Sequence, residues 1–290
     1  MDLGCNFFDT AWAYGDGHSE ELLGKILRAN KNNGAVGGPD KRLYVATKVP
    51  PKNRRWPARP EDSLDDCYPP DYIVEYVDKS LANLGIESLD LIQLHTWEDR
   101  WLEDERVLRA AEKLRASGKV RAFGLSLNRW QPANGIRAVR ASFADAVQVI
   151  YNIFDQNPVD ELFPACREKE VAVIARCPFD EGGLTGTLTR ETTWPQGDWR
   201  NGYFNAENLK ATVARGDAIK QLVPSGMTMP EMALRFILNN PDVSTIIPGM
   251  RKRHHVETNL AASDKGPLPA PLHTQLGAHR WDRTPTKWSQ

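Results

Sequence analysis

The chain has no excess of either charge, few cysteines and no long apolar run. Its 37 lysines and arginines against 38 aspartates and glutamates give a formal net charge of -1. No bulk basic field marks a nucleic-acid partner, and no acidic excess marks a disordered chain. No apolar stretch approaches the roughly 18 residues that a membrane-spanning helix needs. Met1-Asp2-Leu3-Gly4-Cys5-Asn6 has neither the basic start nor the apolar core of a signal peptide. The four cysteines, Cys5, Cys67, Cys166 and Cys177, form no CxxC pair. That favours buried free thiols over disulfides or a metal site. GxGxxG and Walker sequences are absent, which disfavours a Rossmann or P-loop nucleotide site. Tandem repeats and low-complexity tracts are also missing. These absences leave a cytoplasmic protein with a large core and no membrane or nucleic-acid partner.

What is present is an alternation. The 290 residues are 41% hydrophobic, enough for one barrel domain of about 250 residues and a tail over about 264–290. Apolar, β-branched runs predict strands near 6–9, 43–48, 89–94, 120–125, 146–150, 171–175 and 243–247. Apolar residues three and four apart predict helices between them. Ser19 to Arg28 carries Leu22, Leu23, Ile26 and Leu27, and Asp71 to Leu84 stops at Gly85. Further helices are predicted at Glu103–Ser117, Asn134–Ala141, Asp160–Lys169, Glu207–Val223 and Met229–Asn239. Strand-helix alternation is the pattern of a parallel α/β fold. Pro50 to Pro70 and Pro178 to Tyr203 read as long loops that follow strands, and long loops in a compact domain are often functional. The tail from Asp264 shows no clear helix.

Three predicted strands deliver an ionisable residue at their C-terminal ends: Asp9, Lys48 and His95. A parallel barrel gathers those ends on one face, where barrel enzymes work. A buried lysine disfavours its own charge unless an acid pairs with it, and Asp9 is the natural partner. Tyr14 follows the first strand closely. A phenol is a weak acid with a pKa of about 10, but a nearby ammonium favours the phenolate and makes proton donation to a carbonyl oxygen feasible. His95 can hydrogen-bond the same oxygen. A structural salt bridge and a satisfied strand-end histidine are the plainer readings of Lys48 and His95 taken singly. The four residues together favour proton transfer. A second segment, Ile246-Ile247-Pro248-Gly249-Met250-Arg251-Lys252-Arg253, closes the last strand with a glycine and a run of cations, then opens a helix at about Val256. Glycine lets a backbone approach a phosphate, and a helix start beside arginines binds anions. A solvated basic turn is the alternative.

These residues resemble the aldo-keto reductase superfamily. Gly4-Cys5-Asn6-Phe7-Phe8-Asp9-Thr10-Ala11, Tyr14-Gly15 and Ser19-Glu20-Glu21-Leu22-Leu23-Gly24 are similar to its first motif. Ala46-Thr47-Lys48, Ser80-Leu81-Ala82-Asn83-Leu84-Gly85 and Leu89-Asp90-Leu91-Ile92-Gln93-Leu94-His95 fit the next motifs. Gly118 to Ser126 and Val147 to Asn152 continue the match. The resemblance implies a (β/α)8 TIM barrel that binds NADPH (NADP+) and transfers hydride to an aldehyde or ketone, a small-molecule carbonyl substrate. By position it implies a catalytic tetrad of Asp9, Tyr14, Lys48 and His95, with Tyr14 as general acid. It places Ser126 and Gln148 at the nicotinamide carboxamide and Gly249, Met250, Arg251, His255 and Asn259 at the adenosine phosphate. Arg251 near a 2′-phosphate would favour NADPH over NADH.

The pattern departs in three places. Leu127 separates Ser126 from Asn128, where the family often has Asn directly after the serine. Arg176 stands where an aromatic residue usually stacks on the nicotinamide; a guanidinium can stack on such a plane. Only seven strands are predicted, and the missing one should be first; a βα unit upstream would complete the barrel. Without it the sheet would expose an edge prone to pairing. Arg176 and the missing first strand motivate an alternative function, a cofactor-binding or regulatory protein on a reductase scaffold with weak or no turnover. Trp56, Trp97, Trp130, Trp194 and Trp199 are candidates for the pocket wall, although each singly is explained by ordinary packing.

Overall fold

The short β-branched runs form parallel strands, and the amphipathic segments between them form helices. The computed structural model describes residues 3–32 and 42–283. Two compact units divide the chain: Met1–Gln148 with Pro164–Ala172, and Val149–Phe163 with Val173–Gln290.

The first unit begins with β1 (Phe7–Asp9), α1 (His18–Asn32), β2 (Tyr44–Val49), α2 (Leu64–Cys67) and α3 (Pro70–Leu84). It continues with β3 (Leu89–Leu94), α4 (Glu105–Ala116), β4 (Val120–Ser126), α5 (Ile136–Arg140) and the start of β5 (Ala146–Ile150). Each strand from β1 to β4 pairs in parallel with the next one in sequence. Parallel strands are covered on both faces, which is why β3 is nearly continuous in apolar residues. Leu89, Ile92 and Leu94 are fully buried. Gly85 ends α3 in the left-handed conformation at φ 65°, a conformation that favours glycine. Asp104 caps α4 by accepting from the Arg106 backbone N–H.

The second unit follows α6 (Leu162–Glu168) and contains most of β6 (Ala172–Arg176), then α7 (Arg200–Tyr203), α8 (Ala206–Lys220) and α9 (Met229–Leu238). It closes with β7 (Thr245–Ile246), α10 (Arg253–Asp264) and α11 (Ala270–Gly277). β6 and β7 pair in parallel. Thr228 caps α9 through the Glu231 N–H, with Pro230 in its first turn, where no intrahelical donor is needed.

All seven predicted strands are present, with ends moved by a residue or two. Several expectations are corrected. The tail does hold a helix, α11: Leu272 and Leu276, one turn apart, are buried there, and the prolines lie at its start. Past α11, the Arg283 guanidinium sits between the carboxylates of Asp155 and Asp180 at 2.5 and 2.9 Å. α10 starts at Arg253, not Val256. On α1 only Leu23 and Leu27 turn inward, while Leu22 and Ile26 are exposed, because neighbouring helical positions point about 100° apart. The Pro50–Pro70 loop contains α2, closed by a Ser63–Asp66 capping box. All four cysteines are free thiols, but only Cys67 and Cys166 are buried.

Candidate active site

In the first unit, β1, β2 and the end of β3 bring the sequence-predicted acid–base residues together. The Lys48 side chain is fully buried and donates to Asp9 Oδ1 at 2.5 Å and to the Thr10 carbonyl at 2.8 Å. Its Nζ lies 5.5 Å from the centre of the Tyr14 ring. Tyr14 is held by a tight loop: its N–H donates to the Ala11 carbonyl at 3.0 Å, and the Gly17 N–H to the Trp12 carbonyl at 2.7 Å. Gly17 has φ +96°, and a Cβ there would meet Asn83 Nδ2 at 2.6 Å. That asparagine donates to Glu20, which is fully buried and also accepts from Thr47, the residue before Lys48. The first turn of α1 thus braces both the loop of Tyr14 and the strand of Lys48.

The His95 ring is edge-on to Tyr14, with centroids 5.9 Å apart, and edge-on to Trp56, 5.8 Å away on its other side. Tyr14 is 48% exposed and Trp56 39%, so both rings present surface to an incoming molecule. Of the five candidate wall tryptophans, Trp56 stands against the tetrad, through His95. Trp97 is fully buried against Trp101 and Phe143, and Trp194 stacks on Phe204. Behind this rim, the Asn128 amide donates to the Ala58 carbonyl and to Glu98 Oε1. Asn128 therefore ties together the loops that follow β2, β3 and β4. Burial pushes the Glu98 carboxyl above the usual carboxylate range. Burial likewise pushes the Cys67 thiol up to about 12, which makes it a poor nucleophile.

Ser126 and Gln148 are both buried and face each other in the β4–β5 register. Gln148 Nε2 donates to Asp9 Oδ2 at 2.9 Å. Gln93, which sequence reasoning passed over, donates to the same oxygen at 3.3 Å. The signal was available: Gln93 lies two residues before His95, so the two share a strand face, and with Asp90 it is one of two polar residues in the run.

The second unit holds a cleft of about 1370 Å³. Gly249, His255 and Asn259 line it, together with Thr185, Gly186 and Lys252. Gly249 has open space where a Cβ would project. The buried Asn259 Nδ2 has no hydrogen-bond partner among the described residues, and a buried amide left unsatisfied points to a ligand acceptor. An adenosine phosphate fits this lining: glycine leaves room for it, Lys252 supplies charge and Asn259 a donor. Among the described residues Met250 and Arg251 do not line the cleft. Arg251 is exposed, and its charge helps hold Asp198 at about 2, an acid governed chiefly by its hydrogen bond to Arg200. Desolvation, then His254, Lys252 and Arg251, lower the His255 pKa. The Thr185–Gly186 segment was not singled out in the sequence, although its loop was. The Arg176 guanidinium donates to Cys177 Sγ at 3.6 Å. It precedes a turn with positive φ at Cys177, Asp180 and Glu181, strain of the kind that collects near functional sites.

The chain is similar to known proteins in sequence and in fold. The aldo/keto reductase family model matches residues 1–280. The aldo-keto reductase yakc of Schizosaccharomyces pombe, named for NADP(+), is 30% identical over 268 residues, 90% of this chain and 74% of its own. The NADH-specific methylglyoxal reductase of Escherichia coli is 29% identical, covering 89% of this chain and 78% of its own. A glycerol dehydrogenase from Gluconobacter oxydans superposes with TM-score 0.74 at 28% identity over 96% of this chain and 81% of its own. An aldo-keto reductase from Bacillus halodurans superposes with TM-score 0.72 over 100% of this chain and 87% of its own; at 24% identity it supports the fold alone. The fold is accordingly α/β, of the TIM-barrel type. Among the described residues no helix is long and apolar enough to cross a membrane. With its parallel strands, its acid–base cluster and a family match over residues 1–280, the chain belongs to the aldo/keto reductase family.

Proposed function

We propose that the protein reduces an aldehyde or ketone to the alcohol with NADPH, and that Tyr14 is the proton donor. The observation that carries this is the arrangement of Tyr14 and His95 beside the buried Lys48–Asp9 pair. NADPH, when bound, supplies the hydride that reaches the carbonyl carbon. Tyr14 gives the proton of its hydroxyl to the carbonyl oxygen. The Lys48 ammonium, held by Asp9, stabilises the phenolate left behind. His95 hydrogen-bonds the same oxygen and fixes its orientation. The half-exposed Tyr14 then recovers a proton from water. Ser126 and Gln148 would hold the carboxamide. Gly249, His255 and Asn259 would hold the adenosine end. Lys252 supports a preference for the 2′-phosphate; relatives of both cofactor types exist, so NADPH and NADH are to be compared directly.

The test is carbonyl-dependent loss of nicotinamide absorbance across a panel of aldehydes and ketones. General acid catalysis contributes about 10²–10⁴-fold, so Tyr14→Phe should lower kcat by at least about 100-fold while NADPH still binds. A Tyr14→Phe variant that keeps its rate would refute the assignment.

A further inference from the structure

A buried glutamine beside an ion pair needs a reason, because an apolar residue of the same size avoids the cost of desolvating an amide. Gln93 is fully buried in the middle of β3. The register places it opposite Lys48 on β2 and opposite Gly124 on β4. Gly124 gives it room: a Cβ there would lie 3.1 Å from Gln93 Cγ and 2.9 Å from the Ala146 carbonyl oxygen.

Two hydrogen bonds use this amide, and a third joins its two partners. Gln93 Nε2 donates to Asp9 Oδ2 at 3.3 Å. Gln148 Nε2 donates to Gln93 Oε1 at 3.4 Å and to Asp9 Oδ2 at 2.9 Å. Asp9 Oδ1 is left for Lys48 at 2.5 Å. An ionised carboxylate only accepts, so both amides must turn their nitrogens to it. The two glutamines close a ring on one oxygen of Asp9 and reserve the other for the ammonium. The charged and titratable groups around this ring are Asp9 on β1, Lys48 on β2, Tyr14 in the loop after β1 and His95 at the end of β3.

We propose that Gln93 is a positioning residue. Its amide holds the second oxygen of Asp9 and fixes the amide of Gln148, so that the Asp9–Lys48 pair keeps one orientation toward Tyr14. The proposal rests on the reading of Tyr14 as proton donor.

A double-mutant cycle tests it with Gln93→Met, which keeps length and removes both hydrogen bonds, and Asp9→Asn, which removes the charge at little change of shape. Gln93→Met should lower kcat about tenfold, the order of one hydrogen bond to a charged group, with NADPH Kd within about threefold of wild type. In the Asp9→Asn background the same substitution should cost less than about twofold. Gln93→Glu keeps the acceptor for Gln148 but sets a second carboxylate against Asp9; it should be no better than Gln93→Met, and it serves if Gln93→Met fails to fold. Equal losses from Gln93→Met in both backgrounds, or wild-type kcat in Gln93→Met, would overturn the proposal. Tyr14→Phe is measured alongside: an unchanged rate there sinks the proton-donor reading itself, a failure distinct from additivity in the cycle.

Discussion

Removing Asp9 should destabilise the protein more than removing Lys48, although the two form one ion pair. Both are buried, with side-chain exposures of 6% and 0%. Breaking a buried pair by removing one partner costs about 3–5 kcal/mol, because the remaining charge is left uncompensated. Asp9→Ala leaves the Lys48 ammonium with the Thr10 carbonyl and also takes away the carboxylate acceptor shared by the amides of Gln93 and Gln148. It should therefore carry the full penalty. Lys48→Met leaves the Asp9 carboxylate with both amide donors, and the cost should be nearer the ~1–3 kcal/mol of a partly satisfied group. At about 2–4 °C per kcal/mol for a large domain, Asp9→Ala lowers Tm by about 6–20 °C and Lys48→Met by about 2–12 °C. The double variant should lie well above the sum of the two losses, since neither charge remains buried alone. Thermal unfolding followed by circular dichroism reads all four proteins. A larger loss for Lys48→Met than for Asp9→Ala, or strictly additive losses, would show that the amides do not hold the carboxylate as argued.

Two more predictions concern the cleft of the second unit. Asn259→Leu removes an unsatisfied buried donor, so unfolding should show unchanged or slightly raised Tm, while NADPH Kd measured by fluorescence quenching rises about tenfold. His255 has its pKa lowered in the free protein, by desolvation first and then by neighbouring cations, so it is neutral at pH 7. A bound phosphate dianion favours the protonated ring; NADPH should therefore bind more tightly as pH falls from 7 through the lowered pKa, and NADH much less so. His255→Gln should flatten that difference, which titrations at several pH values can check.

The strands were legible because parallel strands covered on both faces are written as dense apolar runs, and Leu89–Leu94 reproduces its predicted bounds. The ends of those runs gave Asp9, Lys48 and His95, each with a plainer reading when taken singly, and Tyr14 joined them because it follows the first strand closely. What escaped was information of another kind. The helix α11 buries only Leu272 and Leu276, too weak a period to stand out among prolines. Leu22 and Leu23 are equally apolar, and only the packing of α1 decides which one faces in. Arg251 and Lys252 are adjacent cations, and the turn after β7 decides that Lys252 lines the cleft while Arg251 meets the field of Asp198.

Gln148 shows where such reading stops. Its position matched a carboxamide-binding residue, and nothing in the linear pattern says that it also reaches Asp9, 139 positions away. Pairing β1 through β5 in order brings the two together within one unit. The contact then constrains what Gln148 can do for a ligand. Its nitrogen is committed to Asp9 and Gln93, and turning the amide over would set its carbonyl against a carboxylate. The atom left for a carboxamide is Oε1, an acceptor. The same residue therefore couples the ion pair to the place where the nicotinamide would lie. A change at Gln93 should therefore reach the ion pair both directly and through Gln148.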